Sequence, residues 1–329
     1  MRAPAAPPLR RLGRALAALA ATAALSLPVL RLAVPGTGVF ASGSGAAQPA
    51  ADAVLEGTID IHVHSDPDSF ARSLDGLEAA RLAQASGMRA IVLKNHFDPT
   101  AGLAFLARQQ ARGLDVFGGV VLNRPVGGVN PAAVEHMTEV SGGWGRIVWM
   151  PTFDAEHHVR SQNENRPFVS VSRDGELLPE VKAVIALVVK HGLALATGHS
   201  APEESLLLLR EGRRLGLQRM VVTHPMQMFV QMGLPQMQAA TREGAFLEFV
   251  GGSLAGEGAA AQMDRYAQAI RAIGPEFCIL SSDLGQRGNP LPAEGFGAFI
   301  RALRDRGFTG QEIDLMTKRN PARLLGMER

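Results

Sequence analysis

The feature that most constrains the fold of this chain is an alternation of short apolar runs with longer amphipathic stretches, repeated eight times after Gly57. The short runs are apolar or rich in β-branched residues and predict strands, whereas the longer stretches have the period of amphipathic helices. The predicted strands are residues 58–64, 89–95, 115–122, 146–152, 193–198, 219–223, 245–250 and 277–282. Helical patterns between them include residues 74–87, 178–191, 202–215 and 259–273.

Eight such units predict an α/β fold of the (β/α)8 TIM-barrel class, formed by one domain over residues 57–329, because that fold takes about 250 residues. A doubly wound open sheet is the structural alternative, but no G-x-G-x-x-G motif follows the first predicted strand. In barrel enzymes the chemistry lies at the carboxyl ends of the strands. These strand ends are therefore the place to look for functional residues.

The first 41 residues have the three parts of a secretory signal peptide: a basic start, an apolar run over residues 15–30 and a final stretch of small residues. We expect export to the periplasm or the exterior, with cleavage near the end of this segment. The apolar run is shorter than a membrane-spanning helix and ends at Arg31, so no stable membrane anchor is expected. An Arg10-Arg11 pair leaves a twin-arginine route open. Residues 42–56 are predicted to be a linker.

The charge balance argues against a nucleic-acid partner. The chain has 33 Lys and Arg against 31 Asp and Glu, but five of its arginines precede the first acidic residue, Asp52, so the remainder is mildly acidic. The remainder also has no evident basic cluster and few aromatic residues on which bases could stack. The single cysteine, Cys278, excludes an intramolecular disulfide and a cysteine-rich zinc module. A small-molecule substrate is the expected partner, and homo-oligomerisation is left open.

Candidate metal ligands recur at the ends of the predicted strands. Asp60, His62 and His64 alternate along the first strand, so a period of two predicts that all three share one face, directed into the barrel. Further candidates follow other strands: Lys94 and His96 after the second, His199 after the fifth, His224 after the sixth and Asp283 after the eighth. An H-x-H pattern alone is weak evidence, but this recurrence predicts a metal centre at the catalytic face.

Imidazole and carboxylate ligands without a thiolate suit one or two divalent ions, Zn²⁺ first, with Mn²⁺, Fe²⁺ and Ni²⁺ as alternatives. Such an ion lowers the pKa of a bound water toward ~7 and supplies hydroxide at neutral pH. Asp283 is the predicted catalytic residue, because one carboxylate oxygen can contact the metal while the other accepts a proton from the water. A turn or N-cap role is the structural alternative for Asp283.

In this order, these residues resemble those of the amidohydrolase superfamily of metal-dependent hydrolases, over residues 57 to 326. The matching elements are Asp60-x-His62-x-His64, His199, His224, Asp283 and the segment Asn320 to Gly326, which is similar to the C-terminal helix of that family. The resemblance implies an uncharacterised branch in which His62, His64 and Asp283 hold one metal and His199 and His224 hold a second. A water or hydroxide would lie between the two ions.

The chain departs from the family after the fourth strand. Many members with two metals carry a bridging carboxylated lysine or glutamate there, whereas this chain has Pro151-Thr152-Phe153-Asp154. Lys94 is the nearest substitute, either as a carboxylated bridge or as an ammonium that binds an anionic group of the substrate. A site with one metal and no bridge is a third alternative.

Three residues are predicted to bind substrate: Arg124 after the third strand, His96 after the second, and His157, which precedes His158 in the loop after the fourth strand. Glu248, predicted to point inward from the seventh strand, is either a structural ion-pair partner or a catalytic group. The long loop over residues 153–177, with a hairpin turn at Asp174-Gly175, is the expected determinant of substrate choice. The Met-rich segment 226–237 is expected to pack in the core or in a lid.

The leading functional hypothesis is an exported metal-dependent hydrolase that cleaves an amide, lactam, lactone or ester. Alternatives within enzymes are a phosphoesterase and a non-hydrolytic decarboxylase or isomerase. An exported binding barrel without catalysis is the alternative from another class.

Overall fold

The computed structural model describes residues 53–254 and 258–327. The predicted signal peptide, residues 1–41, and most of the predicted linker lie outside these residues. Among the helices of the described chain, none is long and apolar enough to cross a membrane.

Eight parallel strands form a nearly closed barrel. In chain order the strands are β1 (Ile59–Val63), β2 (Ala90–Leu93), β3 (Asp115–Val121), β4 (Gly145–Trp149), β5 (Ser172–Arg173), β6 (Glu176–Leu177), β7 (Ala194–Ala196), β8 (Met220–Val222), β9 (Phe246–Val250) and β10 (Cys278–Ser281). All except β5 and β6 pair in parallel with their neighbours in the sequence. A parallel bridge between Val63 and Leu284 brings β1 against the chain after β10. The eight predicted strands and the (β/α)8 class are confirmed.

Helices lie between the strands, as predicted. They are α1 (Gly76–Ala85), α2 (Ala101–Gln110), α3 (Pro131–Glu139), α4 (Glu156–Ser161), α5 (Pro179–Lys190), α6 (Pro202–Arg214), α7 (Leu234–Arg242), α8 (Ala259–Ile273), α9 (Pro292–Arg304), α10 (Gly310–Asp314) and α11 (Asn320–Leu325). Several begin with a proline in the first turn, where its missing N–H costs nothing. The start of α1 is fixed by Asp75, whose carboxylate accepts hydrogen bonds from the backbone N–H of Leu77 and Glu78.

Two apolar layers hold the barrel together. One lies between the strands and the surrounding helices, and the other fills the barrel interior with side chains such as Ile61, Phe117 and Trp149. Leu324 of α11 belongs to the inner layer and closes it at the amino ends of the strands. Beyond these apolar residues, polar side chains gather at the carboxyl ends of the strands.

The register of β1 corrects one prediction. Asp60 pairs with Ile91 of β2, and Val63 pairs with Leu93. Two residues of β1 thus lie between these pairs but only one residue of β2, which is a β-bulge. Before the bulge, Asp60 lies on the helix side of the strand and lines a small cavity with Ala79 of α1. Asp60 therefore does not share a face with the two histidines that follow it. Burial raises its pKa to about 6, and its Oδ1 accepts hydrogen bonds from backbone N–H groups.

The loop after β4 contains the predicted hairpin. Strands β5 and β6 pair in antiparallel fashion around Asp174 and Gly175. Both residues have positive φ, 50° and 79°, which is the conformation that a two-residue Asp-Gly hairpin turn requires.

Candidate metal centre

The carboxyl ends of the barrel strands bring the predicted ligands together. Beyond the bulge, His62 and His64 point into the barrel, and they meet residues from four other strand ends: Lys94 and His96 after β2, His199 after β7, His224 after β8 and Asp283 after β10. The five histidines named here and Lys94 are buried, whereas 22% of the Asp283 side chain is exposed.

His62, His64 and Asp283 form a compact triad that could hold a metal ion. Asp283 Oδ1 lies 3.1 Å from His62 Nε2 and 3.0 Å from His64 Nε2. The backbone of Asp283 has a φ of 50°, which is uncommon for a residue with a side chain, and its N–H donates to the carbonyl of His62 at 2.9 Å. The fold thus holds the aspartate in a strained conformation directly over the two imidazoles.

Glu248 of β9 fixes the orientation of His62. Its Oε1 lies 3.0 Å from His62 Nδ1 and accepts a hydrogen bond from Ser281 Oγ at 2.7 Å. Burial alone would raise the pKa of Glu248, but the charge and hydrogen bond of His62 hold it at about 2. Because an ionised carboxylate only accepts hydrogen bonds, His62 Nδ1 is the donor of this bond and Nε2 is the ring nitrogen directed at the centre. Of the two roles predicted for Glu248, this contact is the structural one.

Three observations show that these residues fit a divalent metal. His62, His64 and Asp283 each offer one ligand atom, and these atoms all lie within 4.8 Å of one another, close enough to share an ion. His224 Nδ1 is buried and has no hydrogen-bond partner within the described part of the chain. Burial lowers the pKa of His64 to about 3 and that of His224 to about 4, so both rings offer lone pairs at neutral pH.

Lys94 lies at the centre of the site. Its Nζ is 2.9 Å from His62 Nε2 and 5.6 Å from the ring centroid of Trp149. Burial lowers the pKa of Lys94 to about 8. Its position fits the predicted membership of the metal centre, and its two predicted roles, bridging carbamate and anion-binding ammonium, stay predictions.

A second group of imidazoles adjoins the triad. The His199 ring lies 5.0 Å from the His224 ring, and His199 Nδ1 lies 3.0 Å from Nδ1 of His158, which belongs to α4. Burial lowers the pKa of both His158 and His199. The ring of Phe229 stacks on His199 at a centroid distance of 5.0 Å.

A cavity of about 500 Å³ opens onto the centre. Its apolar wall consists of three phenylalanine rings: Phe70, Phe153 and Phe229. Two arginines also line it. Arg72 is paired with Asp68, at 2.7 Å from Nε to Oδ2. Arg287 is exposed at the mouth, and its Nε donates to the carbonyl of Arg72 at 3.1 Å. The cavity therefore combines an aromatic wall with a guanidinium at its rim.

The three residues that were predicted to bind substrate lie in different places relative to the cavity. His96 lines the cavity, with Nδ1 2.9 Å from Thr152 Oγ1. Arg124 does not, because it begins a short 3-10 turn, is exposed and lines a separate hollow on the surface. His157 is also absent from the cavity wall. Successive residues of a helix point about 100° apart, and in α4 it is His158 that is directed at the site.

Several residues of the cavity were not identified from the sequence. Arg72, Phe153, Phe229 and Arg287 all belong to loops, whose course no hydrophobic period reveals. Phe229 lies in the Met-rich segment and Arg287 follows Asp283 closely, but neither residue type marks a site by itself. Asn123 was also missed. Its side chain bonds to the His96 carbonyl and to Thr152, and so ties three strand ends together.

Comparison with known proteins supports the fold. A family model described as a family of unknown function, DUF6282, matches residues 57–248. No curated protein matches the sequence. Among solved structures, the chain is similar to an amidohydrolase from Pseudomonas aeruginosa, with 12% identity, 83% of this chain and 96% of that chain covered, and a TM-score of 0.58.

Two further structures are similar. A phosphotriesterase homology protein from Escherichia coli, solved with phosphate in its active site, has 14% identity, coverage of 82% and 99%, and a TM-score of 0.56. A putative 2-pyrone-4,6-dicarboxylic acid hydrolase from Pseudomonas putida has 18% identity, coverage of 83% and 98%, and a TM-score of 0.55. At these identities the similarity is one of fold, and at that level the predicted resemblance to the amidohydrolase superfamily is confirmed.

Proposed function

Because this chain belongs to the family of unknown function DUF6282 and has the fold of the amidohydrolase barrels, we propose that it is a metal-dependent hydrolase. The observation that carries the proposal is the position of Asp283. Its carboxylate touches the Nε2 atoms of His62 and His64 and is also partly exposed to the cavity. One group can thus bind a metal and meet a substrate.

A divalent ion at this position would lower the pKa of a coordinated water and polarise the oxygen of the scissile group. Asp283 makes both histidine contacts through Oδ1, which leaves Oδ2 to accept the proton of the attacking water. Asp283 would then pass this proton to the leaving nitrogen or oxygen. Glu248 keeps the proton of His62 on Nδ1, so that Nε2 remains directed at the centre.

We propose that the scissile bond is the C–N or C–O bond of an amide, lactam, lactone or ester. The cavity supports a small substrate with an apolar or aromatic body, because three phenylalanine rings form its wall. Arg287 at the rim supports an anionic group on the part of the substrate away from the scissile bond.

The test is turnover by the full-length protein after loading with Zn²⁺ or Mn²⁺, on a panel of esters, lactones, amides, phosphoesters and aromatic carboxylic acids. We expect hydrolysis of a carboxylic ester, lactone or amide that depends on the metal. Asp283→Asn should lower kcat by ~10²–10⁴-fold, the usual contribution of a general base. Asp174→Asn is the matched control, because Asn tolerates the positive φ of that exposed hairpin turn.

Other outcomes would replace the proposal. Unchanged turnover in Asp283→Asn would refute the role of this carboxylate. Cleavage of phosphoesters alone, or decarboxylation, would identify one of the alternative barrel enzymes. A protein that holds its metal and turns over nothing on the panel would favour a binding barrel.

We also propose that the protein is exported. The basic, apolar and small-residue parts of residues 1–41 support this. Expression of the full chain in a Gram-negative host, followed by N-terminal sequencing of the periplasmic fraction, tests it. A mature N-terminus near residue 42 is expected, and recovery of the uncleaved chain from the cytoplasm alone would contradict export.

A further inference from the structure

We infer that His158 is a metal ligand, which shares with His199 a second metal position beside the triad and next to His224. The inference rests on the proposed function, because it assumes that the triad of His62, His64 and Asp283 is itself a metal site. The residues at the end of β4, Pro151 to Asp154, contain no lysine or glutamate that could bridge two metals. The inference instead assigns a metal ligand to the helix that follows, α4.

The first observation is the short distance between two imidazole nitrogens. His158 Nδ1 and His199 Nδ1 lie 3.0 Å apart, and the rings are stacked at a centroid distance of 4.9 Å. Nitrogens that share one zinc ion at about 2.0–2.1 Å lie roughly 2.8–3.4 Å from each other when the angle at the metal is between about 90° and 109°. The pair is therefore already spaced as two ligands of one ion.

The second observation is the unsatisfied nitrogen of His224. This buried Nδ1 has no hydrogen-bond partner in the described residues, and its ring lies 5.0 Å from that of His199. A buried polar atom without a partner is costly unless something binds it. The backbone of His224 also has a positive φ, 25°, so the fold holds this ring in place with local strain.

The third observation is the surroundings of the pair. Within the described residues, each ring hydrogen-bonds only to the other, and both adjoin the aromatic rings of Phe153 and Phe229, at centroid distances between 5.0 and 5.6 Å. In a pair of neutral imidazoles held by one mutual hydrogen bond, only one of the two Nδ1 atoms would be an acceptor. A cation satisfies both nitrogens at once.

The position of His158 is also built into the fold. The chain between β4 and α4 is held by Asn123, whose Oδ1 accepts hydrogen bonds from the backbone N–H of Thr152, at 2.9 Å, and of Asp154, at 3.2 Å. The carbonyl of Asp154 in turn accepts from Val169 N–H at 2.7 Å. These bonds set where α4 begins, and hence which of its residues faces His199.

The experiment is the metal content of the purified full-length protein after reconstitution with Zn²⁺, measured by elemental mass spectrometry. We expect about two ions per chain in the parent and about one in His158→Ala. His157→Ala is the matched control, since the contact with His199 is made by His158 and not by this adjacent histidine, and it should keep about two. Circular dichroism of each variant checks that it is folded.

A second variant separates ligation from hydrogen bonding. Gln at position 158 can still hydrogen-bond to His199 but is a poor zinc ligand, so His158→Gln should also bind about one ion. Two ions in both His158→Ala and His158→Gln would overturn the inference and leave the proposed hydrolase intact. One ion in the parent would overturn it in favour of a centre with a single metal. No ion in the parent would refute the proposed function together with the inference.

Discussion

At the scale of single residues, the imidazole of His62 lies between Glu248 on one side and Asp283 and Lys94 on the other. The carboxylate of Glu248 decides which ring nitrogen carries the proton. Glu248→Gln should therefore weaken metal binding by about 10- to 100-fold, because the amide can offer its N–H to Nδ1 and favour the wrong tautomer. The affinity is measured by competition with a chromophoric chelator.

Ser281→Ala is the control for this prediction. It removes one hydrogen bond to Glu248 but keeps the carboxylate, so the metal affinity should change much less than in Glu248→Gln. Parental affinity in Glu248→Gln would show that the His62 tautomer does not limit binding.

Arg287 is the residue on which the proposed anionic substrate depends. The Arg287→Ala variant should have an approximately tenfold higher KM for a substrate that carries a carboxylate. A hydrogen bond to a charged group contributes ~1.5–3 kcal/mol, and solvent exposure of the arginine reduces this contribution. The KM of the uncharged analogue should stay unchanged. Steady-state kinetics on the two substrates check this.

Arg124→Ala provides the comparison, because Arg124 is also exposed but lines a different hollow. It should leave both KM values unchanged. An equal loss on charged and uncharged substrates in Arg287→Ala would contradict recognition of an anion.

At the scale of elements, β3 and α2 are in backbone contact. A Cβ at Gly118 of β3 would overlap the backbone of Thr100, whose Oγ1 also accepts a hydrogen bond from Gly119 N–H at 2.9 Å. Gly118→Ala should therefore lower the free energy of unfolding by about 1–3 kcal/mol, the usual cost of overpacking. Urea denaturation measures the change.

A glycine of α2 provides the matched control for Gly118→Ala. Gly102 of α2 has open space around its Cβ position and an ordinary φ, so Gly102→Ala should raise the free energy of unfolding by up to about 1 kcal/mol. If the two substitutions had the same effect, close packing of strand on helix would not be the cause.

The bulge in β1 explains the one error in predicting the orientation of a strand residue. Alternation correctly placed His62 and His64 on one face but also placed Asp60 there. One extra residue between Asp60 and Val63 breaks the period of two. No local property of the segment IDIHVH signals this, because the bulge depends on pairing with β2.

At the scale of the whole molecule, the buried histidines make the metal-free protein sensitive to acid. Burial lowers the folded-state pKa of His64, His96, His199 and His224, so below pH 6.5 the unfolded chain binds more protons than the folded one. The free energy of unfolding therefore decreases as the pH is lowered. A histidine with a folded-state pKa of about 4 loses about 2 kcal/mol by pH 5.

Asp60 acts in the opposite direction. Its folded-state pKa is raised to about 6, so protonation between pH 7 and pH 5 returns about 1 kcal/mol, less than the histidines lose. We expect a net loss of several kcal/mol over this range, measured by urea unfolding of the protein stripped of metal. The slope should decrease in His96→Gln and persist in His136→Gln, which removes an exposed histidine. Equal stability at pH 5 and pH 7 would contradict the burial of neutral imidazoles.

The tertiary structure also gathers charges that are scattered in the sequence. Arg89, Lys318, Arg319 and Arg323 line a hollow of about 980 Å³ at the amino ends of the strands, opposite the metal centre. Arg89 is far in the sequence from Lys318, Arg319 and Arg323, so the sequence did not reveal the four as one basic surface.

By itself, the sequence determined the eight-unit barrel and most of the metal centre. Hydrophobic periods are local, and in a parallel barrel every strand ends at the same face, so residues at strand ends such as His62, His199 and Asp283 had to converge. Only the tertiary structure decided that His158 and not His157 faces His199, that Asp60 points away, and that Phe229 and Arg287 border the cavity. These outcomes depend on strand register and loop paths, which are set by contacts between residues far apart in the chain.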